Sequence, residues 1–193
     1  MIATQVISVY AESTPNPATM KFVLNKLLIE TEGKSVDYRT KEQADDSPIA
    51  LKLFEFPFVR GVFITGNFIT ITQDESQEWN EIIPALKDFV KDFVTSGTPI
   101  FTEIPKQIIQ EANKSNTDIE QKIIGLLDEY IRPAVEGDGG AISFKSFDNG
   151  IVTVVLKGSC SGCPSSTLTL KQGIENLLKR MVPEVEEVIS EAL

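Results

Sequence analysis

The sequence predicts an α+β protein of two small domains, each with a small antiparallel or mixed sheet and helices packed on one face. Runs of apolar and β-branched residues bounded by turn residues predict strands, and apolar residues recurring every three or four positions predict helices. Both kinds of segment occur on each side of a polar stretch, which we interpret as a linker at residues 111–116. The predicted domains are therefore residues 1–110 and 117–193.

The first domain is predicted to begin with two strands and to contain a hairpin. The segments "TQVISVYAEST" and "ATMKFVLNKLLI" have strand character, and Pro15 and Pro17 separate them. The segment "VRGVFITGNFITIT" predicts a hairpin, because Thr65-Gly66-Asn67 is a turn signal between two apolar runs.

Two helices are predicted in the same domain. The segment "DSPIALKLFEF" favours a short helix with Ser47 as its N-cap and Pro48 as its first helical residue. The segment "SQEWNEIIPALKDFVKDFVTSG" has helix spacing and should end near Gly97. Pro84 falls in the first two turns of this helix, where a missing N–H costs least.

The second domain should begin with a helix and a hairpin. Thr117 and Glu120 have the spacing of a capping box. Helix-spaced apolar residues follow as far as Arg132-Pro133, where the helix is expected to start ending. The strands "AISFKSF" and "IVTVVL" are joined by Asp148-Asn149-Gly150, a strong hairpin signal.

A last helix and a last strand complete the second domain. The segment "PSSTLTLKQGIENLLKRM" predicts a helix with Pro164 near its first turn, and Pro183 stops it. The following "EVEEVISEAL" alternates imperfectly, and we predict a final strand there. The buried side of the helix is predicted to carry Leu168, Ile174, Leu177, Leu178 and Met181.

Composition excludes several function classes. The net charge of -10 and the lack of a dense Lys/Arg patch argue against a nucleic-acid partner. No run of roughly 18 apolar residues is present, so no membrane span is expected. The chain has no histidine, which removes the Ser-His-Asp triad, the Cys-His dyad and the His-type general base. Most familiar enzyme chemistries therefore lack their parts.

The N-terminal segment "MIATQVISVYAEST" bears on the cellular compartment. It shows neither a basic region followed by a long apolar stretch nor an Arg-rich transit pattern. We therefore predict a cytoplasmic protein. A reducing compartment disfavours a structural disulfide.

The only two cysteines, Cys160 and Cys163, lie together in "KGSCSGCPSS" between a predicted strand and a predicted helix. Backbone N–H groups and the dipole at a helix N-terminus favour the thiolate, which is the nucleophile and the metal ligand. Gly158 and Gly162 would let the backbone turn tightly and approach a bulky ligand. Four interpretations compete: a redox pair, part of a metal site, a structural disulfide, or inert packing.

The context of the pair differs from that of a thioredoxin-like motif, because it follows a hairpin and no aromatic residue precedes the first cysteine. A zinc site or an iron–sulfur cluster commonly needs about four ligands. The chain offers two thiols and no histidine. Carboxylates or a small molecule would then complete the site, or two chains would supply two cysteines each.

Two long segments resemble a known family. "RPAVEGDGGAISF" followed by "VTVVLKGSCSGCPSSTLTLKQGIENLLKRMVPEV" closely resembles the C-terminal domain of NifU-type proteins, which are iron–sulfur cluster scaffolds and carriers. "STPNPATMKFVLN" with "SPIALKLFEFPFVRGVFITGNFITIT" resembles the N-terminal domain of the Nfu subgroup. Together the two matches cover nearly the whole chain.

The resemblance implies a function and its partners. Cys160 and Cys163 would bind a [4Fe-4S] cluster that bridges two protomers, so the loaded protein would be a homodimer. It would receive the cluster from assembly donors and pass it to apo iron–sulfur proteins, without acting as an enzyme. A dithiol oxidoreductase or a zinc-binding thiol protein is the alternative.

Overall fold

The computed structural model describes residues 6–108, 117–161 and 164–192, with the backbone alone at 164–167 and 192. The chain forms two compact units, Met1–Ala112 (unit 1) and Asn113–Leu193 (unit 2). The predicted linker, residues 111–116, lies outside the described residues. Within the described ranges, no helix is long and apolar enough to cross a membrane.

Unit 1 is built on a five-stranded sheet in which every neighbouring pair is antiparallel. The predicted hairpin is confirmed, since Thr65 pairs with Phe68 across a turn in which Gly66 has φ +41°. One strand, Ser35–Tyr38, was not predicted. In the spatial order β1-β2-β5-β4-β3, the strands are β1 (Val9–Ser13), β2 (Thr19–Leu24), β5 (Phe68–Gln73), β4 (Val59–Thr65) and β3 (Ser35–Tyr38).

Both predicted helices of unit 1 are confirmed as α1 (Pro48–Leu53) and α2 (Trp79–Thr95). The Ser47 side chain accepts a hydrogen bond from the Ala50 N–H at 3.4 Å, which is the expected N-cap contact. Both helices share one apolar core with alternate strand residues, and residues two apart in a strand point to the same face. The helices therefore cover one face of the sheet.

Unit 2 has a mixed sheet of β6 (Gly140–Asp148), β7 (Ile151–Gly158) and β8 (Glu187–Ala192), with β7 in the middle. β6 and β7 are antiparallel and turn through Asn149 and Gly150, both with positive φ, as the hairpin signal predicts. β7 and β8 are parallel, so a crossover must join them. The crossover is the helix α5 (Pro164–Met181). The cysteine-bearing loop therefore starts at the carboxyl end of β7.

The first helical segment of unit 2 continues beyond its predicted end. The capping box of Thr117 and Glu120 is confirmed at the start of α3 (Asp118–Leu126). A wide π turn at Leu127–Ile131 follows, and α4 (Arg132–Gly137) continues the segment. A proline ring clashes with the carbonyl four residues earlier in an ordinary helix. Only Arg132 separates Pro133 from the π turn, which widens the backbone there. The helical segment runs on to Gly137, so the prediction that it starts to end at Arg132-Pro133 was wrong.

The buried side of α5 differs in part from the predicted one. Ile174 and Leu178 are buried in the unit 2 core, but Leu168 is 61% and Met181 40% exposed. Leu168 precedes Ile174 by six residues, which turns it about 240° around a helix of 3.6 residues per turn. Leu170, four residues before Ile174, packs on the core instead. Met181 lies at the last residue of the helix, where the buried Val182 closes the core.

A carboxylate links α5 to β8. Glu175 accepts hydrogen bonds from the Lys179 ammonium at 2.6 Å and from the Val188 backbone N–H at 3.1 Å. The hydrogen bond from Lys179, followed by that from Val188, lowers the pKa of Glu175. The ionised carboxylate therefore helps to fix the helix that follows the cysteine loop.

We expect Glu175→Gln to flatten the acid side of the stability profile. A carboxyl whose pKa is lowered by folding binds more protons in the unfolded state, so its stabilisation is complete above its ordinary pKa and is lost as the pH falls through the folded value. The wild type should thus lose more thermal stability than the variant between neutral pH and pH ~3. The matched control is Glu184→Gln, an exposed carboxylate just beyond the helix. If the melting temperatures of the wild type and Glu175→Gln change in parallel with pH, the stabilising role of the ionised Glu175 is contradicted.

Candidate metal centre

The candidate site is formed where two turns meet in unit 2. The glycine turn, Asp138–Gly140, connects α4 to β6. The cysteine turn, Gly158–Ser161, follows β7. Because Gly140 and Gly158 are paired in the β6–β7 ladder, the two turns lie side by side at one end of the hairpin.

The glycine turn ends α4 as a helix C-terminus commonly does. The Asp138 N–H donates to the Ala134 carbonyl at 3.0 Å, and the Gly139 N–H donates to the Glu136 carbonyl at 3.1 Å. Gly139 then takes φ +81°, a conformation that glycine adopts without a steric penalty. The chain reverses there and enters β6.

The cysteine turn is a tight reversal with a glycine at its start. Gly158 has φ +63°, and its carbonyl accepts a hydrogen bond from the Ser161 N–H at 3.1 Å. This places Cys160 at the tip of the turn. The predicted role of Gly158, to let the backbone turn tightly, is confirmed by this geometry.

Ser159 ties the two turns together. Its backbone N–H donates to the Gly139 carbonyl at 3.3 Å, and its hydroxyl donates to the Asp138 carbonyl. Ser159 is 2% exposed, so these hydrogen bonds are shielded from water. The glycine turn therefore fixes the backbone that carries Cys160.

The thiol of Cys160 points into unit 2 rather than into solvent. Cys160 is 5% exposed and belongs to the apolar core of the unit. Its Sγ lies 3.9 Å from the Ser159 Oγ. A methyl group placed on Gly140 would lie 2.8 Å from this sulfur, so the sulfur occupies the space that a side chain would take.

Cys163 and Gly162, which the sequence also assigns to the site, lie outside the described residues. The backbone of α5 is described from Pro164 onwards. Among the described side chains, no group of three or more His, Cys, Asp or Glu residues could hold a metal ion. The described part of one chain thus brings a single thiol to the site.

The donor set suits a soft metal ion. Thiolate is a ligand of zinc and of iron–sulfur clusters. The residues present therefore fit an iron–sulfur cluster in donor type. They fall short in number, because about four thiolates are needed and the sequence holds two.

Sequence reasoning did not connect the glycine turn with the cysteines. The segment "EGDGG" (136–140) forms a tight turn after a helix. The contacts from Asp138, Gly139 and Gly140 to Ser159 and Cys160 were missed. The available signal was the hairpin itself, because the predicted turn at residues 148–150 brings the segment before one strand close to the segment after the other.

Two family models match the chain in order. The model described as "Scaffold protein Nfu/NifU N terminal" matches residues 9–97, and the model described as "NifU-like domain" matches residues 123–189. The second match contains both cysteines and the glycine turn. The two matches fall one in each compact unit.

Curated relatives match almost the full chain. The "NFU1 iron-sulfur cluster scaffold homolog, mitochondrial" of Drosophila willistoni is 39% identical over 188 residues, which is 97% of this chain and 65% of that protein. The protein of the same name from Homo sapiens is 39% identical over 181 residues, 93% of this chain and 70% of that protein. This chain thus spans roughly two thirds of the length of these relatives.

Among solved structures, a solution NMR structure of a NifU-like protein from Saccharomyces cerevisiae matches with a TM-score of 0.47 and 25% identity. That match covers 54% of this chain and 92% of the other.

Proposed function

This chain belongs to the NifU-type iron–sulfur cluster scaffold family, and from that premise we propose that Cys160 and Cys163 hold a [4Fe-4S] cluster across two copies of the chain, for delivery to apo-proteins. The observation that carries the proposal is the donor count. The sequence has two cysteines and no histidine, and no described carboxylate cluster supplies further ligands. Two chains together supply the roughly four thiolates that such a cluster takes.

The cluster is cargo in this proposal, and the chain does not turn over a substrate. Each protomer contributes two ligands three residues apart, so no continuous backbone holds the whole ligand set. Metal binding and assembly then share one free energy, and loss of the cargo is coupled to separation of the protomers. Thiolates of an acceptor protein can replace Cys160 and Cys163 one at a time.

The partners follow from this chemistry. Donors are proteins that supply iron and sulfide or a preformed cluster, and acceptors are apo-proteins that present free thiolates. The curated relatives are named mitochondrial. For this chain, the cytoplasmic location stays a prediction.

The decisive test is cluster transfer in the presence of a trap. Loaded protein is mixed with an apo-enzyme that needs a [4Fe-4S] cluster, together with a strong iron chelator. Direct handover predicts that activation survives the chelator. Free iron and sulfide at matched concentration, with the same chelator, are the control and should give no activation. If the chelator abolishes activation by the loaded protein, the cluster falls apart in solution and the carrier function is wrong.

We predict that the loaded form is a dimer and the metal-free form is largely monomeric. The reason is that the ligands of one chain cannot complete the site. Light scattering coupled to size exclusion, before and after anaerobic removal of the metal, measures the change in mass. A fully loaded monomer would contradict the prediction, and a colourless protein that instead cycles a disulfide would favour a dithiol oxidoreductase.

A further inference from the structure

A metal ligand must present its sulfur to the metal, yet the described conformation keeps the Cys160 sulfur inside unit 2. Only 5% of the residue is exposed, and Cys160 itself belongs to the apolar core of the unit. The proposed function needs this thiol as a ligand, but in the described conformation the thiol is shielded from solvent. In the described conformation the sulfur therefore faces the interior of unit 2, and it would have to move to reach a cluster.

The space that receives the sulfur exists because residue 140 is glycine. A Cβ at this position would lie 2.8 Å from Sγ and 3.2 Å from Cβ of Cys160. Real Cβ atoms essentially never approach other heavy atoms below 3.0 Å. A side chain at residue 140 and the inward thiol thus exclude each other.

Hydrogen bonds hold the cysteine turn in this position. The Ser159 hydroxyl donates to the Asp138 carbonyl, and the Ser159 N–H donates to the Gly139 carbonyl. Both bonds connect the residue next to Cys160 with the two residues that precede Gly140. Removing the Ser159 hydroxyl, which also lies 3.9 Å from the Cys160 sulfur, should therefore free the thiol while leaving the cysteine in place.

We propose that the glycine turn is a receptacle for the Cys160 thiol in the metal-free protein, and that cluster loading draws the sulfur out of it. Gly140 acts as a positioning residue by lacking a side chain. On loading, the S–H bond breaks, its proton passes to solvent, and the sulfur forms a bond to iron without a net transfer of electrons. The shielded thiol is protected from alkylation and oxidation until cluster is delivered. The shielding depends on the geometry alone, whereas the loading step rests on the proposed function.

The first experiment measures shielding in the metal-free full chain. Cys163→Ser leaves Cys160 as the only thiol, and its rate of alkylation by iodoacetamide is followed by intact-mass spectrometry in native buffer and in urea. We expect alkylation to be slower in the native state by about tenfold or more. Equal rates in the two conditions would overturn the proposal. The Cys160→Ser protein keeps only Cys163. Its alkylation rates in native buffer and in urea show how the other thiol of the same loop responds to urea.

The second experiment releases the thiol. Ser159→Ala in the Cys163→Ser background removes the hydroxyl that donates to Asp138, and we expect alkylation of Cys160 to become several-fold faster in native buffer. Ser190→Ala in β8, outside both turns, is the control and should leave the rate near that of the parent. Circular dichroism checks that each variant is folded. An unchanged rate in folded Ser159→Ala would contradict the role of the hydrogen bond in shielding.

The third experiment tests the loading step with both cysteines present. During anaerobic reconstitution with ferrous and ferric iron and sulfide, Ser159→Ala should gain thiolate-to-iron absorbance faster than the wild type. Equal loading rates, with shielding demonstrated, would overturn the loading step. If neither protein takes up a cluster, the proposed function fails, while the alkylation rates still decide the shielding.

Discussion

Replacing either cysteine by serine should abolish stable cluster loading. A dimer of Cys160→Ser or Cys163→Ser chains offers two thiolates where about four are needed, and a serine hydroxyl remains protonated at neutral pH and binds iron poorly. Iron and sulfide content per chain after anaerobic reconstitution is the measurement. We expect both contents to fall to background on gel filtration, with the secondary structure retained.

Two substitutions of Cys160 separate the loss of the ligand from the effect on stability. Cys160→Ser replaces a weakly polar thiol by a more polar hydroxyl in an apolar core position, which we expect to cost about 1–3 kcal/mol. Cys160→Ala removes the ligand without adding a polar group. Both variants should fail to load, but the serine variant should also be less stable. Full iron content in any of these variants would show that the assigned residue is not a ligand.

Local signals in the sequence predicted most elements around the site. The turn of Asn149 and Gly150 requires two residues with positive φ, and few sequences other than Asn-Gly supply them cheaply. The capping box at Thr117 fixes a helix start by contacts only three residues apart. The motif that holds both cysteines is equally local. Such features depend on near neighbours, and a sequence pattern records them.

Features that depend on distant residues could not be predicted in the same way. β3 pairs with β4 on one side. On the other edge of β3, the Gln107 side-chain amide accepts a hydrogen bond from the Asp37 N–H and donates one to the Asp37 carbonyl. The two residues are 70 positions apart in the chain. No local sequence pattern predicts that contact. The exposure of Leu168 likewise follows from the direction in which α5 faces the sheet, and its apolar character alone suggested burial.

The contact between the two turns of the site is an intermediate case. Counting outward from the pair Asp148 and Ile151 would place Ala141 opposite Gly158 in a regular hairpin. The register shift between Phe144 and Ser146 moves the pairing by one residue and brings Gly140 opposite Gly158. That single-residue shift also reverses which face each side chain occupies. The hairpin was predictable, but the bulge that sets Gly140 against Cys160 was not.

Gly140→Ala is expected to destabilise unit 2 although it leaves both cysteines in place. The new methyl group would lie 2.7 Å from the Lys157 carbonyl oxygen and 2.8 Å from the Cys160 sulfur. Overpacking of this kind costs roughly 1–3 kcal/mol, because backbone or side chains must shift. The matched control is Gly173→Ala in α5, where a Cβ meets no atom within 4 Å and should stabilise the helix by about 0.5–1 kcal/mol.

The sulfur's share of that cost can be separated by a double-mutant cycle with Cys160→Ala. In the cycle, the clash with the Lys157 carbonyl is present with or without the sulfur, whereas the clash with Sγ disappears in the double variant. We therefore expect Gly140→Ala to be less destabilising in the Cys160→Ala background than in the wild type. Amide hydrogen exchange in β6 and β7 should be the readout, because the single tryptophan, Trp79, lies in unit 1 and does not report on unit 2. Additive effects of the two substitutions would mean that the sulfur does not occupy the space beside Gly140, and the glycine would then be required by the backbone alone.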